Sequence, residues 1–378
     1  MGRAGRLPRH GFFLKAMKYI DEYRDPAIAL KLLRGIEKKA ALLGRSATFM
    51  EVCGSHTQAI GRYGIRKMLP DSIRLISGPG CPVCVTSVSD VDTALWLAAQ
   101  PNVIFATFGD MLRVPGTGGR SLQQLRAEGA DIRVTASATD CLGLALENPQ
   151  LEIIFMGIGF ETTSPTIAAT VLTAQRQGSR NLTVFSVHKV IPPAIAALLA
   201  DPALSIDGFL CPGHVSVIIG ADAYRCIPAA GRAAVITGFE PVDVLEGIYL
   251  LLDQLLAEKK EVLIQYGRGV KAEGNLKARA VLSTIFEPAD VQWRGLGIIP
   301  GSGLVFKNAY AAFDALQKFS VPAFASEDIK GCRCGDILRG IIAPPECPLF
   351  RKVCMPHNPV GPCMVSSEGT CAAYYRYS

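Results

Sequence analysis

The sequence lacks any apolar run long enough to span a membrane, although 49% of its 378 residues are hydrophobic. Its first residues, Met1–Phe13, are basic but have neither the apolar core nor the small-residue cleavage site of a signal peptide. Lysine and arginine are scattered, no long basic run is interleaved with aromatic residues, and the net charge of +6 is modest for this length. We therefore expect a soluble, cytoplasmic protein that binds neither membranes nor nucleic acid.

Cysteine is the residue type that stands out, with twelve copies in the chain. Without a secretory signal, this number argues against a disulfide-stapled scaffold and favours metal or redox chemistry. A chain of 378 residues is also long for one domain, so two or three domains are expected.

The stretch Phe49–Cys84 holds two short apolar runs, each followed by cysteine and glycine. Runs bounded by Gly or Pro favour buried strands, and open α/β sheets build their sites in loops at the carboxyl ends of their strands. Cys53 follows the first run, and Cys81 and Cys84 form a Cys-x-x-Cys pair after the second. Helix N-termini lower thiol pKa values, so thiolates are predicted near neutral pH, with His56 as a proton carrier. The alternative is that Cys53 and Cys81 are small core residues.

Three motif pairs repeat in the same order along the chain, which indicates a weak internal duplication. The pairs are FMEVCGSHT at Phe49 with FMGIGFETT at Phe155, SGPGCPV at Ser77 with LCPGHVS at Leu210, and VIFATFGDM at Val103 with AVITGFEPV at Ala234. Apolar strand starts alternate with helical segments, which is the rhythm of βαβ units. We therefore predict two related parallel-sheet α/β domains, over residues 46–148 and 149–265.

The second of these domains carries polar side chains where the first carries thiols. Glu161 and Thr162 stand at the position of Cys53, and His214 stands at that of Cys81. If the two domains face each other, carboxylate, hydroxyl and imidazole groups meet the thiols across a cleft, as a catalytic site requires. The alternative is ordinary local structure, with hydroxyls that cap a helix and imidazoles bonded to backbone groups.

Other cysteines and strand-end residues have simpler interpretations. His188 and Glu240 end further strands of the second domain and add an imidazole and a carboxylate to the predicted cleft. Three cysteines in apolar surroundings are assigned to the core: Cys141, Cys211 and Cys226.

A helix is predicted for Pro26–Leu43. Asp25 can cap it, Pro26 suits its first position, and Gly44 ends it. Residues 1–16 are expected to be an extension, and the whole segment 1–45 is expected to pack with the C-terminal domain.

Residues 266–378 are predicted to form a third, loop-rich domain. It holds a helix over Glu273–Ile285 and then a turn-rich stretch, GLGIIPGSGL, from Gly295. Six cysteines follow within forty residues, among many prolines: Cys332, Cys334, Cys347, Cys354, Cys363 and Cys371. Thiolates that converge from several loops can hold an iron–sulfur cluster. Zinc would also accept four thiolates, although the spacing does not match a zinc ribbon, and a disulfide-stapled tail is a further alternative.

The cysteine spacing starts with a Cys-x-Cys step and leaves two thiols spare once four bind a cluster. This arrangement is similar to that of ferredoxin–thioredoxin reductases, in which a cluster exchanges electrons with a nearby disulfide. By that analogy the expected ligands of a [4Fe–4S] cluster are Cys332, Cys347, Cys354 and Cys371. The same analogy makes Cys334 and Cys363 a redox pair.

Several motifs together resemble the HypD family of hydrogenase maturation factors. They are CGSHT at Cys53, GPGCPVC at Gly78, GFETT at Gly159, PGHVS at Pro212, GFEP at Gly238 and CPLFRKVCMPHNPVGPCMVSSEGTCAAYY at Cys347. The resemblance extends from Met17 to the C-terminus. Family members usually carry a second histidine directly after CGSHT, where this chain has Gln58.

The resemblance implies a maturation scaffold with redox activity rather than a conventional metabolic enzyme. HypD-like proteins pair with a small chaperone, HypC, to hold the iron that becomes the Fe(CN)2CO group of [NiFe]-hydrogenases, and a HypE partner brings cyanide as a thiocyanate. Thiolates suit low-spin iron, so the iron scaffold is expected at Cys53, Cys81 and Cys84. The [4Fe–4S] cluster would supply the electrons that release cyanide, whose charge helix N-termini at Gly54 and Gly80 would meet.

The rival interpretation is an iron–sulfur thiol–disulfide reductase that acts on partner disulfides through Cys81 and Cys84. It leaves Cys53 and the polar groups of the second domain without a role. A structural metalloprotein without chemistry is a third interpretation, and it leaves every loop-end cysteine idle.

Overall fold

The computed structural model describes residues 17–18 and 20–378, so the predicted extension over 1–16 lies outside the described residues. The strands are β1 (Ala47–Glu51), β2 (Ile73–Ser77), β3 (Val103–Thr107), β4 (Ile132–Val134), β5 (Glu152–Gly157), β6 (Leu182–Ser186), β7 (Gly208–Pro212), β8 (Ala233–Thr237), β9 (Val262–Ile264), β10 (Phe286–Trp293) and β11 (Gly297–Phe306).

Helices alternate with these strands, and those of the first half lie as follows. They are α1 (Pro26–Leu43), α2 (Gly54–Arg62), α3 (Ile65–Met68), α4 (Pro82–Val85), α5 (Val88–Ala98), α6 (Leu122–Ala127), α7 (Asp140–Glu147), α8 (Ser164–Arg176) and α9 (Ile191–Ala200). The remaining helices are α10 (Gly213–Ile219), α11 (Cys226–Ala229), α12 (Pro241–Leu256), α13 (Leu276–Ile285), α14 (Ala315–Lys318), α15 (Cys334–Leu338), α16 (Pro362–Val365) and α17 (Thr370–Tyr377).

Two parallel sheets form the body of the molecule and confirm the predicted α/β class. Within the described residues the first sheet has the strand order β2-β1-β7-β8-β9, and the second has the order β4-β3-β5-β6. β8 is buried at every position, as expected for an interior parallel strand covered on both faces. β1 lies between β2 and β7, so the loop that carries Cys53 leaves the sheet beside the loop that carries Cys81.

The sheets do not follow the predicted boundaries at 46–148 and 149–265. Each sheet takes strands from both segments, because the chain leaves the first sheet after β2, builds all of the second sheet, and returns at β7. The pairing of β1 with β7 joins Phe49 to Gly208. Such a long-range choice of partner is decided by packing and leaves no periodic signal in the sequence.

Helix α1 forms as predicted but packs elsewhere than expected. Asp25 accepts hydrogen bonds from the backbone N–H groups of Ala27 and Ile28, and Gly44 ends the helix at a φ of 67°. The buried side of the helix, with Ile36, lies in a core formed with helix α12 and the first sheet. The expected packing of segment 1–45 on the C-terminal domain is therefore wrong for its helix.

The stretch from Gly295 that was predicted to be turn-rich forms most of strand β11. β10 and β11 pair as an antiparallel hairpin in which Phe286 faces Phe306 and Trp293 faces Gly297. The glycines and the proline of this stretch did not predict a strand, since these residues are depleted in sheets. The hairpin positions Trp293 and Arg294 between the two cysteine regions, because the N–H of Arg294 donates to the carbonyl of Val85 at 2.9 Å.

The C-terminal region is cysteine-rich and built of short helices joined by irregular chain. It packs on the first sheet's loops, with α17 against α2 and α16 against α4. Among the helices of the described chain, none combines the length and the apolar character needed to cross a membrane.

Candidate functional site

Cys53 and Cys81 lie side by side where strands β1 and β2 end. Each is the residue that precedes a helix, α2 for Cys53 and α4 for Cys81. The N–H of Gly54 donates to the carbonyl of Gly80 at 2.9 Å, which joins the two loops directly. A Cβ atom on Gly80 would lie 2.5 Å from the Cα of Cys53, so only glycine permits this approach.

The thiol of Cys53 is buried rather than activated. Burial raises its pKa to about 12, and the nearby carboxylate of Glu368 adds to the shift, while backbone N–H groups of Ser55 and His56 oppose it. The expectation of a thiolate near neutral pH is therefore wrong for Cys53 in the free chain, because desolvation outweighs the helix N-terminus. A cation bound at this thiol would lower its pKa and favour the thiolate.

A line of four thiols leads away from the sheet edge. The sulfur atoms of Cys81 and Cys84 lie 2.6 Å apart, and the Cys84 thiol is fully buried. The sulfur atoms of Cys334 and Cys363 lie 2.7 Å apart, and the Cys363 thiol lies within electrostatic range of Cys84. Sequence reasoning paired Cys81 with Cys84 and Cys334 with Cys363, and the fold brings the two pairs next to each other.

The six C-terminal cysteines line one small cavity. The rest of its wall includes the apolar side chains of Ile337, Leu349, Phe350 and Met364. Six sulfur donors in a small apolar cavity fit a thiolate-ligated iron–sulfur cluster, because its ligands come from separate iron atoms and need not converge on one point. Among residues 17–18 and 20–378, no group of three or more Cys, His, Asp or Glu side chains is arranged to hold one metal ion.

His56 and His214 stack on opposite sides of Phe239. The ring centroid of Phe239 lies 4.8 Å from that of His56 and 3.9 Å from that of His214. The Nε2 of His56 donates to the carbonyl of Gly238 at 2.9 Å, and burial lowers the pKa of His56 to about 4. His56 is therefore neutral near pH 7, with an Nδ1 that lacks a hydrogen-bond partner among the described residues. His56 and His214 therefore share Phe239 as an aromatic neighbour.

Glu161 approaches the same region from the second sheet. Its Oε1 accepts the N–H of Ile191 at 3.0 Å, its Oε2 has no hydrogen-bond partner in the described part of the chain, and burial raises its pKa to about 7. The buried Tyr224 lies within electrostatic range of both Glu161 and Cys53. Thr162, by contrast, is an exposed side chain just before helix α8.

The other strand-end residues are explained by local structure. His188 is buried against Phe286, its Nδ1 lies 2.9 Å from the hydroxyl of Ser186, and burial lowers its pKa to about 3. Glu240 precedes helix α12 and binds Arg24 through two contacts. The core assignment fits Cys141 and Cys211, which are fully buried, whereas Cys226 is half-buried.

Two acidic residues beside Cys53 were missed by the sequence reasoning. Glu51 is fully buried, its Oε1 accepts the Thr57 hydroxyl at 2.6 Å, and its Oε2 accepts the Cys53 N–H at 3.3 Å. Burial raises the pKa of Glu51 to about 7. Glu368 accepts the Ser55 hydroxyl at 3.2 Å from the far end of the chain. A carboxylate two positions before a loop-end cysteine was a signal for Glu51, whereas only the fold brings Glu368 to this site.

The model of the family described as "HypD: Hydrogenase formation hypA family" matches residues 27–378. The chain belongs to the HypD family. It is 48% identical to a hydrogenase maturation factor HypD of Azotobacter vinelandii, over 96% of this chain and 97% of the relative. It is 43% identical to the HypD of Escherichia coli (strain K12), over 96% of this chain and 98% of the relative. This membership makes it a hydrogenase maturation factor.

Gln58 is where this HypD chain departs from the motif noted above. Its Nε2 donates to the carbonyl of Ser367 at 2.6 Å, next to Glu368. Gly54, in the first turn of the same helix, has no space for a side chain, because a Cβ there would lie 2.8 Å from the Glu368 carbonyl oxygen. Gln58 thus helps to fix the C-terminal segment over the loop of Cys53.

Proposed function

We propose that this chain is the scaffold on which the Fe(CN)2CO group of [NiFe]-hydrogenases is assembled. A HypC-like chaperone shares the iron, a HypE-like protein delivers cyanide as a thiocyanate, and the cysteine cavity holds a [4Fe–4S] cluster. The observation that carries the proposal is that two pairs of thiols in contact, Cys81 with Cys84 and Cys334 with Cys363, lie next to each other between the sheet edge and that cavity. Paired thiols in contact suit the transfer of two electrons by thiol–disulfide exchange.

Iron is a substrate in this proposal, and Cys53 is its first anchor. The buried thiol of Cys53 has a pKa of about 12 in the free chain. The positive charge of iron lowers this pKa, so the thiol loses its proton and the thiolate binds the metal. Because no three candidate ligands within the described chain surround one ion, the partner chaperone completes the coordination. The neutral His56 and the buried Glu161 are the candidate proton carriers nearby.

Four residues are the proposed ligands of the cluster: Cys332, Cys347, Cys354 and Cys371. All four line the same cavity, and the Sγ of Cys354 accepts the N–H of Val360 at 3.4 Å, the kind of hydrogen bond that tunes such a site. A bound [4Fe–4S] cluster supplies electrons one at a time.

Oxidation of the thiols outside the cluster supplies the two electrons that cyanide release requires. A thiocyanate, R–S–CN, takes up two electrons to give a thiolate and cyanide, and oxidation of the Cys81–Cys84 dithiol to a disulfide provides two electrons and releases two protons. The Cys334–Cys363 dithiol then restores Cys81 and Cys84 by exchange, with Cys363 attacking Cys84. In this exchange one disulfide breaks as the other forms.

The rival function, reduction of partner disulfides, is disfavoured by burial. Attack on another protein's disulfide needs an accessible thiol. Cys81 is 3% exposed, Cys84 is 0% exposed and Cys363 is 1% exposed. A small thiocyanate carried on a flexible segment reaches such thiols more easily than a folded protein does.

The test is the infrared spectrum of the chain purified without oxygen after co-expression with a HypC-like partner. We expect cyanide and carbonyl stretches that disappear in the Cys53→Ala variant. A complex that lacks these bands but reduces disulfides of partner proteins would establish the rival function instead.

A further inference from the structure

A second cavity opens beside the cysteine cavity, and the function proposed above gives no role to its charged wall. Arg294, Asp328 and Arg333 line it, and it reaches Cys332 and Cys334. Small-molecule sites combine such concave walls with a few charged groups.

Arg294 is the unusual member of this wall. Its residue is only 4% exposed, and its Nη2 donates to the carbonyl of Pro115 at 3.0 Å. Its Nε and Nη1 have no hydrogen-bond partner among the described residues. A buried guanidinium with two unused nitrogens is costly, since every N–H that loses water and gains no acceptor destabilises the fold. The cost indicates that an acceptor of negative charge belongs here.

Asp328 is the residue that faces Arg294 without satisfying it. One carboxylate oxygen, Oδ1, lies 3.3 Å from the Nε of Arg294, close enough for an ion pair but without hydrogen-bond geometry. The Asp328 side chain is 65% exposed, and an ion pair with so exposed a partner contributes little to stability. Asp328 can therefore be displaced at little cost.

The segment that carries Asp328 is fixed at the neighbouring residues. The hydroxyl of Ser326 donates to Asp92 at 2.6 Å, and the N–H of Glu327 donates to the hydroxyl of Thr117 at 3.3 Å. Rotation of the Asp328 side chain thus uncovers Arg294 without movement of the segment.

The remaining charges of the cavity are already paired. Arg333 binds Asp336, and Asp336 also binds Arg339. Arg294 is therefore the cation of this wall whose hydrogen bonds are unfilled.

We propose that this cavity binds a small oxyanion, the carboxylate or phosphate group of a small molecule, which displaces Asp328 from Arg294 and lies beside Cys332 and Cys334. The recessed position of Arg294 favours a small molecule over an acidic side chain on the surface of another protein. Because the Asp328 carboxylate competes from within the chain at an effective concentration in the millimolar range, we expect weak binding until that carboxylate is removed.

The experiment titrates the full chain, purified without oxygen, with inorganic phosphate and separately with citrate. The readout is the fluorescence of Trp293, the residue before Arg294, in a Trp96→Phe background that removes the other tryptophan. We expect Asp328→Asn to bind about threefold to fivefold more tightly than the unchanged chain, and Arg294→Gln to lose binding. Glu327→Gln is the matched control, because it removes the same charge from the adjacent residue, and it should change affinity less than twofold.

Three results would overturn the proposal. They are Asp328→Asn binding no tighter than the Glu327→Gln control, a folded Arg294→Gln that still binds, and failure of both oxyanions to bind Asp328→Asn at millimolar concentration. The last result would indicate that the acceptor for Arg294 is an acidic group of a partner protein. If Arg294→Gln does not fold, the comparison of Asp328→Asn with Glu327→Gln still tests the proposal.

Discussion

At the scale of single residues, the site is governed by desolvation. Cys53, Glu51 and Glu161 are all buried, and burial raises the pKa of each. Their resting forms near neutral pH therefore carry less charge than the same groups would in water. A site of this kind holds protons and releases them when a cation arrives, which suits a scaffold that receives iron.

Replacement of Cys53 by alanine tests whether this thiol anchors the iron. We expect Cys53→Ala to lose hydrogenase maturation completely while its stability falls by about 1 kcal/mol or less, because a small side chain at a loop end is removed. Maturation is measured as hydrogenase activity in cells that lack the native factor, and stability by urea unfolding. The control is Cys141→Ala, on the buried face of helix α7, which should mature hydrogenase normally. Loss of solubility in Cys53→Ala alone would favour a core role for Cys53.

Glu161 predicts a pH dependence of stability. Its pKa is about 7 in the folded chain and about 4.3 in an unfolded one, so between these values the folded state binds more protons. The stabilisation from its protonated form is full below about pH 4.3 and is lost as the pH rises through about 7. We expect Glu161→Gln to reduce the loss of stability between pH 5 and pH 8 by about 2–3 kcal/mol.

The measurement is urea unfolding at both pH values. Glu128→Gln, at an exposed side chain paired with Arg120, is the control and should leave the pH dependence unchanged. An unchanged pH profile in Glu161→Gln would mean that this carboxyl is solvated in the folded chain.

At the scale of elements, the site depends on two loops that touch. Gly80 stands against Cys53 with no room for a Cβ atom, so a methyl group must push the two loops apart. We expect Gly80→Ala to destabilise the chain by about 3 kcal/mol or more and to abolish maturation. Gly143→Ala, in helix α7 with nothing within 4 Å of its Cβ position, is the matched control and should stabilise by about 0.5–1 kcal/mol. Equal stability of the two variants would mean that the loops are free to separate.

Local elements could be predicted from the sequence, whereas their assembly could not. Helix α1 has its cap at Asp25 and its stop at Gly44, both of which are local signals. The strand–loop–helix units that end at Cys53 and Cys81 also follow from local pattern. The pairing of β1 with β7 rests on long-range packing, which no short pattern encodes. The hairpin of β10 with β11 is local, but the glycines and proline of β11 made this strand unlike the usual sequence pattern.

The residues of the candidate site also divide into those that local sequence predicted and those that only the fold brings to the site. Cys53, Cys81 and Cys84 were found because cysteine and glycine after an apolar run form a local signal. The pKa of Cys53 was predicted with the wrong direction, since burial by a segment from the far end of the chain outweighs the adjacent helix. Glu368 escaped notice for the same reason.

At the scale of the whole molecule, the C-terminal region is what connects the two cysteine sites. Cys363, at the start of helix α16, contacts Cys334 and lies within electrostatic range of Cys84. The segment that follows covers Cys53, with Gln58 bound to Ser367 and Ser55 bound to Glu368. Folding of the tail therefore completes the thiol line and covers the loop of Cys53 at the same time.

Electron transfer through that thiol line is the prediction that tests the assembled molecule. If Cys334 and Cys363 pass electrons and do not bind the cluster, Cys334→Ser and Cys363→Ser should keep the brown chromophore and about four iron atoms per chain. Both variants should fail in maturation, because no dithiol remains to restore Cys81 and Cys84.

Iron content, visible absorption and hydrogenase activity are measured on the same anaerobic preparations. The control is Cys226→Ser, a half-buried cysteine outside the line, which should keep both cluster and maturation. Loss of the chromophore in either test variant would identify that cysteine as a ligand. Normal maturation in both would show that electrons reach Cys81 and Cys84 by another route. All six cysteines share one cavity, and the sulfur atoms of Cys334 and Cys363 lie 2.7 Å apart. The two variants therefore distinguish a pair of cysteines that passes electrons from a pair that binds the cluster.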